Sequence, residues 1–260
     1  MLVLLTALGC ARPAAVVAPE LPVPTHSTHA PSATPVPGAR PADPTLPAGL
    51  STEVAAVMDR YPIDGSYAYF WPPDDGVWWG TTRDVRYEGL LLSPADPDHR
   101  SHCVGLTWEV ALEVLQAVAG AGPINGMGLR DMLRLRGDWF VRELGDPGAA
   151  AAVEHAGVGV RVPWDQLQRG DFLQLWWTET GGHSGIFDRY ELEEGRIVGL
   201  RYWSTHPFLG GIGYWTDPVE RLHAVYGARL LSPEDWSPVA GADRSDLARD
   251  VPPPPGGQGP

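Results

Sequence analysis

The chain has 260 residues and a formal net charge of −13, from 32 acidic and 19 basic side chains, and all 19 basic ones are arginine. That balance repels phosphate backbones and anionic headgroups, so no nucleic-acid partner is expected; a neutral or cationic partner is. Two cysteines, Cys10 and Cys103, rule out a dense disulfide framework, and the unevenly placed 27 prolines and 31 glycines leave part of the chain outside any packed core.

In chain order, residues 2 to 9 are an apolar run too short to span a bilayer as a helix, ending at Cys10. The run reads as the end of a secretory signal. Ala7-Leu8-Gly9-Cys10 resembles the lipobox of bacterial lipoproteins, which implies lipidation of Cys10 with residues 1–10 a signal segment; the missing positively charged n-region points to a start upstream of Met1, and an uncleaved or conventionally cleaved signal is the alternative. Several acyl chains there would anchor the protein stably to a membrane, where one chain is marginal. Residues 11–50 carry ten prolines among small and polar residues and no hydrophobic period, an extended linker. Residues 51–238 hold 27 acids and 15 arginines, a net −12, and form the folded domain; 239–260 read as a disordered Pro/Gly tail.

Within the domain, Ser51 is expected to cap a short helix that ends before Tyr61-Pro62. Val85–Leu92 reads as a strand. A strong helix is expected from near Ser101, with Val104, Trp108, Ala111, Leu112, Leu115 and Val118 at three- and four-residue intervals and Gly120 to Pro123 stopping it. A second helical region covers about Leu129–Leu144. Thereafter Phe172–Thr178, His183–Tyr190, Ile197–Ser204 and Leu222–Leu230 are rich in aromatic and branched residues between Gly or acidic turns, the pattern of antiparallel strands. Helices first and strands afterwards give an α+β domain.

Three segments carry candidate chemistry. Cys103 falls in the first turn of the strong helix, where unsatisfied amides and the helix dipole favour a thiolate and lower the thiol pKa, and where the same amides can hold an oxyanion. Burial as a small hydrophobe is the alternative fate of a lone cysteine; against it, an exported chain whose other cysteine is lipidated leaves Cys103 without an intramolecular partner. His183 begins a strand among Gly181, Gly182 and Gly185, whose bare backbone leaves room for a substrate between a nucleophile and its base. Ser204 and His206 share one face at the end of the next strand. His206 is the first choice, and Ser204 the second, for the acceptor that orients His183.

Together these segments resemble the NlpC-type cell-wall endopeptidases and the related CHAP amidases of the papain-like cysteine peptidases. His102-Cys103-Val104-Gly105-Leu106 is similar to their Asp-Cys-Ser-Gly-Leu helix start, Gly170-Asp171-Phe172 to their Gly-Asp-Leu strand, and Gly182-His183-Ser184-Gly185-Ile186-Phe187 to their Gly-His-Val-Gly-Ile-Tyr. His206 stands where the family places a third polar residue. The resemblance spans about Leu91–Tyr214; His102 replaces the family's acid and Val104 its serine. It implies a papain-like fold, with the nucleophile at the start of a helix packed on an antiparallel sheet, and hydrolysis of an amide in peptidoglycan stem peptides by a Cys103–His183–His206 site in the cell envelope. It also implies a tyrosine oxyanion donor from the preceding loop, for which Tyr87 is the nearest candidate and Tyr67 and Tyr69 are alternatives.

No cofactor is expected. Asp96, Asp98, His99, His102 and Cys103 crowd together, but their spacing fits no common zinc pattern and Asp-Pro-Asp is a frequent turn. The rival reading is a module that holds cell-wall glycan without cutting it, on a platform of tryptophans such as Trp78-Trp79 and Trp176-Trp177. An amidase or acyltransferase acting on another amide or ester is a further alternative.

Overall fold

A central helix almost without a polar face organises the domain. The computed structural model describes residues 44–71, 79–140, 145–177 and 181–239; the candidate lipidation site Cys10, most of the expected linker and the tail lie outside them. α1 (Ser51–Met58) is followed by a small hairpin of β1 (Val85–Tyr87) and β2 (Leu90–Ser93), then by α2 (Cys103–Ala119), α3 (Leu129–Trp139) and α4 (Ala149–His155). β3 (Gly159–Val162), β4 (Phe172–Trp177), β5 (Gly182–Glu193), β6 (Arg196–His206), β7 (Gly211–Pro218) and β8 (Leu222–Leu230) complete the chain. They form one six-stranded sheet in the order β3-β8-β4-β5-β6-β7 with every pair antiparallel. Among the described residues no helix is long and apolar enough to cross a membrane.

Leu106, Trp108, Val110, Ala111, Leu112 and Leu115 of α2 are all fully buried, which a helix achieves only when covered on every side. The sheet lies against one flank and α1, α3 and the hairpin against others. Glu109 sits in this apolar rod at 2% exposure. It is tolerated because the Thr82 amide, the Thr82 hydroxyl and the Tyr61 hydroxyl donate to its carboxylate at 2.6, 2.7 and 2.7 Å, with Arg83 Nε 2.9 Å away.

Strand periodicity divides the sheet into two faces. Phe172, Ile186, Trp203 and Ala228 face the helices, whereas Leu175, Phe187, Leu200 and Tyr202 build a second core on the other side. That second face is concave. β4 and β7 are three strand spacings apart, about 14 Å in a flat sheet, yet Trp177 Nε1 of β4 donates to Asp217 Oδ2 of β7 at 3.1 Å.

Several local expectations change. Ser51 is the first helical residue rather than the N-cap, and its hydroxyl donates to Asp171 at 2.8 Å. The single strand expected over 85–92 is a hairpin turning at Glu88 and Gly89, both with positive φ. α4, β3 and β7 were not anticipated. The end of the expected linker is tied to the body: Leu50 N donates to Leu230 O at 2.9 Å, and Arg229 bonds Pro47 O at 2.9 Å.

Candidate active site

The start of α2 is built by a loop that only glycine permits. His102, in extended backbone, is the N-cap, and its Nδ1 accepts from the Gly105 amide at 3.1 Å. The Trp79-Gly80 backbone lies against this turn, with His102 N donating to Gly80 O at 3.2 Å. Gly80 has φ +65°, and a Cβ there would strike the His102 ring, while one on Gly105 would overlap the Trp79 carbonyl. His102 therefore caps α2 through a ring nitrogen. Burial pushes its pKa down to about 3, so it caps as a neutral ring.

Cys103, the first residue of α2, is 5% exposed. The amides of Ser184, Val104 and Cys103 itself face the sulfur and favour its anion, but burial outweighs them and pushes the thiol up to about 11. The expectation of a lowered thiol pKa is thus corrected: two amides at the helix start and one from β5 do not offset removal of the sulfur from water.

The Ser184 amide faces the sulfur where the sheet opens. The β5–β6 ladder begins at Ile186↔Trp203, so Ser184 is not paired with β6. Its carbonyl instead accepts from Ser204 Oγ at 2.7 Å. Ser204 Oγ also lies 3.1 Å from His183 Nε2. A hydroxyl has one proton, here given to Ser184 O, so towards His183 the serine oxygen accepts and Nε2 carries the hydrogen. The unprotonated nitrogen of neutral His183 is Nδ1. Burial, helped by His206 and His102, pushes the His183 pKa down to about 3, so the ring is neutral near pH 7.

Of the two candidates behind His183, Ser204 makes the hydrogen bond. His206 makes a ring contact, 4.9 Å between centroids, and is stacked on Trp215 at 4.9 Å and 12°. Its Nδ1 accepts from the Phe208 amide at 3.3 Å, and burial lowers its pKa while Asp217 opposes the shift. His183, Ser204 and His206 alternate with helix-facing Ser184, Trp203 and Thr205, so their side chains root in the concave face, whereas Cys103 belongs to the helix-side core. Neither His183 nor His206 hydrogen-bonds to the Cys103 sulfur. The link between thiol and histidine runs through Ser184, one residue along β5.

Tyr87 does not serve as the expected oxyanion tyrosine. Its hydroxyl donates to Met127 O at 2.7 Å and accepts from Ile124 N at 3.1 Å, both in the segment after the C-terminus of α2. Tyr69 lies nearer the thiol: its bridge to Ser101 sets it beside the residues preceding α2, and a charge on Cys103 would raise its already raised hydroxyl pKa further. Asp171, in the Gly-Asp-Phe segment, is structural; at 0% exposure it accepts from Arg229 Nε and Nη2 at 2.9 and 2.7 Å. Sequence reasoning missed Ser184, Gln174 and Asp217. No signal marked Asp217, which accepts from Tyr202 Oη, Trp177 Nε1 and Trp215 Nε1 at 2.8, 3.1 and 3.4 Å across three strands.

The fold and site define an α+β domain of papain-like arrangement, with a cysteine opening a helix packed on an antiparallel sheet. Comparison with protein-family models, curated proteins and solved structures finds no match to this chain. Among the described residues no group of three or more His, Cys, Asp or Glu side chains is placed to hold a metal ion.

Proposed function

We propose that the domain is a thiol-dependent amide hydrolase of the cell envelope, acting on peptidoglycan stem peptides and tethered through a lipid on Cys10 or secreted. The observation that carries the chemistry is Cys103 at the first residue of the central helix, with its sulfur against the amide next to His183. Peptide substrate and lipid anchor rest on the sequence resemblances alone.

At rest both groups are neutral, a thiol and an imidazole. In the proposed mechanism, attack on the scissile carbonyl is accompanied by loss of the Cys103 proton, relayed to His183 Nδ1 through water because the two side chains are not hydrogen-bonded, and Ser204 steadies the ring through Nε2–H. The Cys103 amide, with Tyr69 as candidate partner, takes the oxyanion. Collapse breaks the C–N bond as His183 returns its proton to the leaving amine. Water, deprotonated by the same histidine, then cleaves the thioester and restores the thiol. Purified peptidoglycan incubated with the protein, and with Cys103→Ala, tests the reading by mass identification of fragments. New amine ends are expected from the native protein only. If none appear with either, the peptide-hydrolase reading falls and another amide or ester becomes the substrate class to examine.

A second reading has one observation in its favour: Trp177, Trp215 and the 75% exposed Phe208 lie together around His183 and His206, rings able to stack on sugars. A glycan-holding module predicts equal binding of the native protein and Cys103→Ala to peptidoglycan, with no fragments released by either.

A further inference from the structure

We propose that Gln174 and Ser184 are a positioning pair that fixes the start of β5 against both Cys103 and His183. The inference rests on the reading of Cys103 as nucleophile, and it assigns a role to two residues that take no part in the bond changes.

Gln174 and Ser184 are direct cross-strand partners in β4 and β5, and Ser184 Oγ donates to Gln174 Oε1 at 2.7 Å. They are 2% and 4% exposed, on the helix-covered face whose neighbouring positions are Phe172 and Ile186. Two polar side chains there lose their hydration for this bond and a longer one, Gln174 Nε2 donating to Leu175 O at 3.2 Å, which apolar residues would not require.

The backbone of Ser184 gives the bond its purpose. Its N–H faces the Cys103 sulfur, and its C=O accepts the Ser204 hydroxyl that holds His183 Nε2. Ser184 is not laddered to β6, and on that side its backbone carbonyl is held by the Ser204 hydroxyl in place of a ladder bond. The side-chain bond to Gln174 adds a second restraint on this residue, from the β4 side. A shift of this one peptide unit would move an amide off the sulfur and the serine acceptor off the imidazole together, which links thiol and base geometrically without direct contact.

The test uses the full chain and no substrate. Iodoacetamide alkylation of Cys103, followed by peptide mass mapping from pH 6 to 11, is compared for the native protein, Ser184→Val, Gln174→Met, the double variant and Ser184→Thr, with urea unfolding run in parallel. Each single change is expected to slow alkylation at any fixed pH below 10 by about threefold to tenfold, the loss of thiolate that follows from taking one amide away from the sulfur. The double variant should be no worse than either single one, as expected for a coupled pair, and Ser184→Thr, which keeps the hydroxyl, should retain the native profile. Lower stability with an unchanged profile would overturn the proposal, leaving the pair as core packing only. If a single variant does not fold, Ser184→Ala removes one oxygen and decides by the same profile. Because alkylation needs no substrate, a shifted profile without peptidoglycan turnover separates failure of the substrate reading from failure of the pair.

Discussion

Alkylation of Cys103 in the native protein is expected to be slow near pH 7.5 and to keep rising up to about pH 11. The thiol is pushed from 9.0 up to about 11 by burial. Two pKa units correspond to a hundredfold smaller thiolate fraction, or about 2.7 kcal/mol favouring the protonated form. Since the thiolate is the reacting species, Cys103 should react about a hundredfold more slowly than an ordinary cysteine at the same pH. Poor access at 5% exposure lowers the absolute rate further but leaves the pH at half-maximal rate unaltered. Iodoacetamide with peptide mass mapping measures this, with the chain in denaturing urea as the unperturbed reference. A rate that levels off below pH 8 would refute the reasoning, because it requires a thiolate already stabilised at rest, as in an ion pair with a protonated His183. The outcome also bears on mechanism: a neutral resting pair makes proton transfer part of the attack, whereas an ion pair places it earlier.

Acid should destabilise the fold through His102 and His183. Both are lowered from 6.5 to about 3, so below pH 6.5 the unfolded chain binds protons the folded one refuses, and stability is present in full above 6.5 and lost as pH falls toward 3. At 1.36 kcal/mol per unit and group, urea unfolding at pH 5 should show a loss of up to about 4 kcal/mol against pH 7.5; equal stabilities would contradict neutral burial of these rings. Replacing Arg229 by methionine leaves the Asp171 carboxylate at 0% exposure without its cation, and should cost about 3–5 kcal/mol in the same assay. Gly105→Ala forces a Cβ into the Trp79 carbonyl at the helix start, with an expected loss of about 1–3 kcal/mol and faster alkylation of the neighbouring thiol. A stability equal to the native value would show that the loop shifts freely. Ser204→Ala removes the acceptor at His183 Nε2, so nitrogen-15 NMR should change from the Nε2–H form to a tautomer mixture; an unaltered spectrum would mean that some other group sets the proton.

The helix that carries Cys103 was legible because its apolar residues recur at helical spacing and Gly120 to Pro123 stop it. Four strands of the sheet were legible because aromatic and branched residues cluster between turn-forming ones. β7 escaped notice because Gly211, Gly213 and Pro218 look like loop residues; the bare Gly211 instead allows the Tyr67 backbone to pass close by. β3 and α4 are too short to impose a period, and packing on β8 and α3 sustains them.

The site divides along the same line. The sequence by itself determined that Cys103 opens a helix and that His183 opens a strand, since both follow from local periodicity and turn chemistry. Only tertiary structure decided the sulfur's charge, because burial is a property of everything packed around it and here outweighs the local amides that sequence alone made visible. Tertiary structure also decided that Ser204 rather than His206 bonds His183, that Tyr69 rather than Tyr87 approaches the thiol, and that Ser184 joins the two halves of the site. These are contacts across strands, fixed by register and by the opening between β5 and β6, and register is a relation between distant segments that no single stretch of sequence contains.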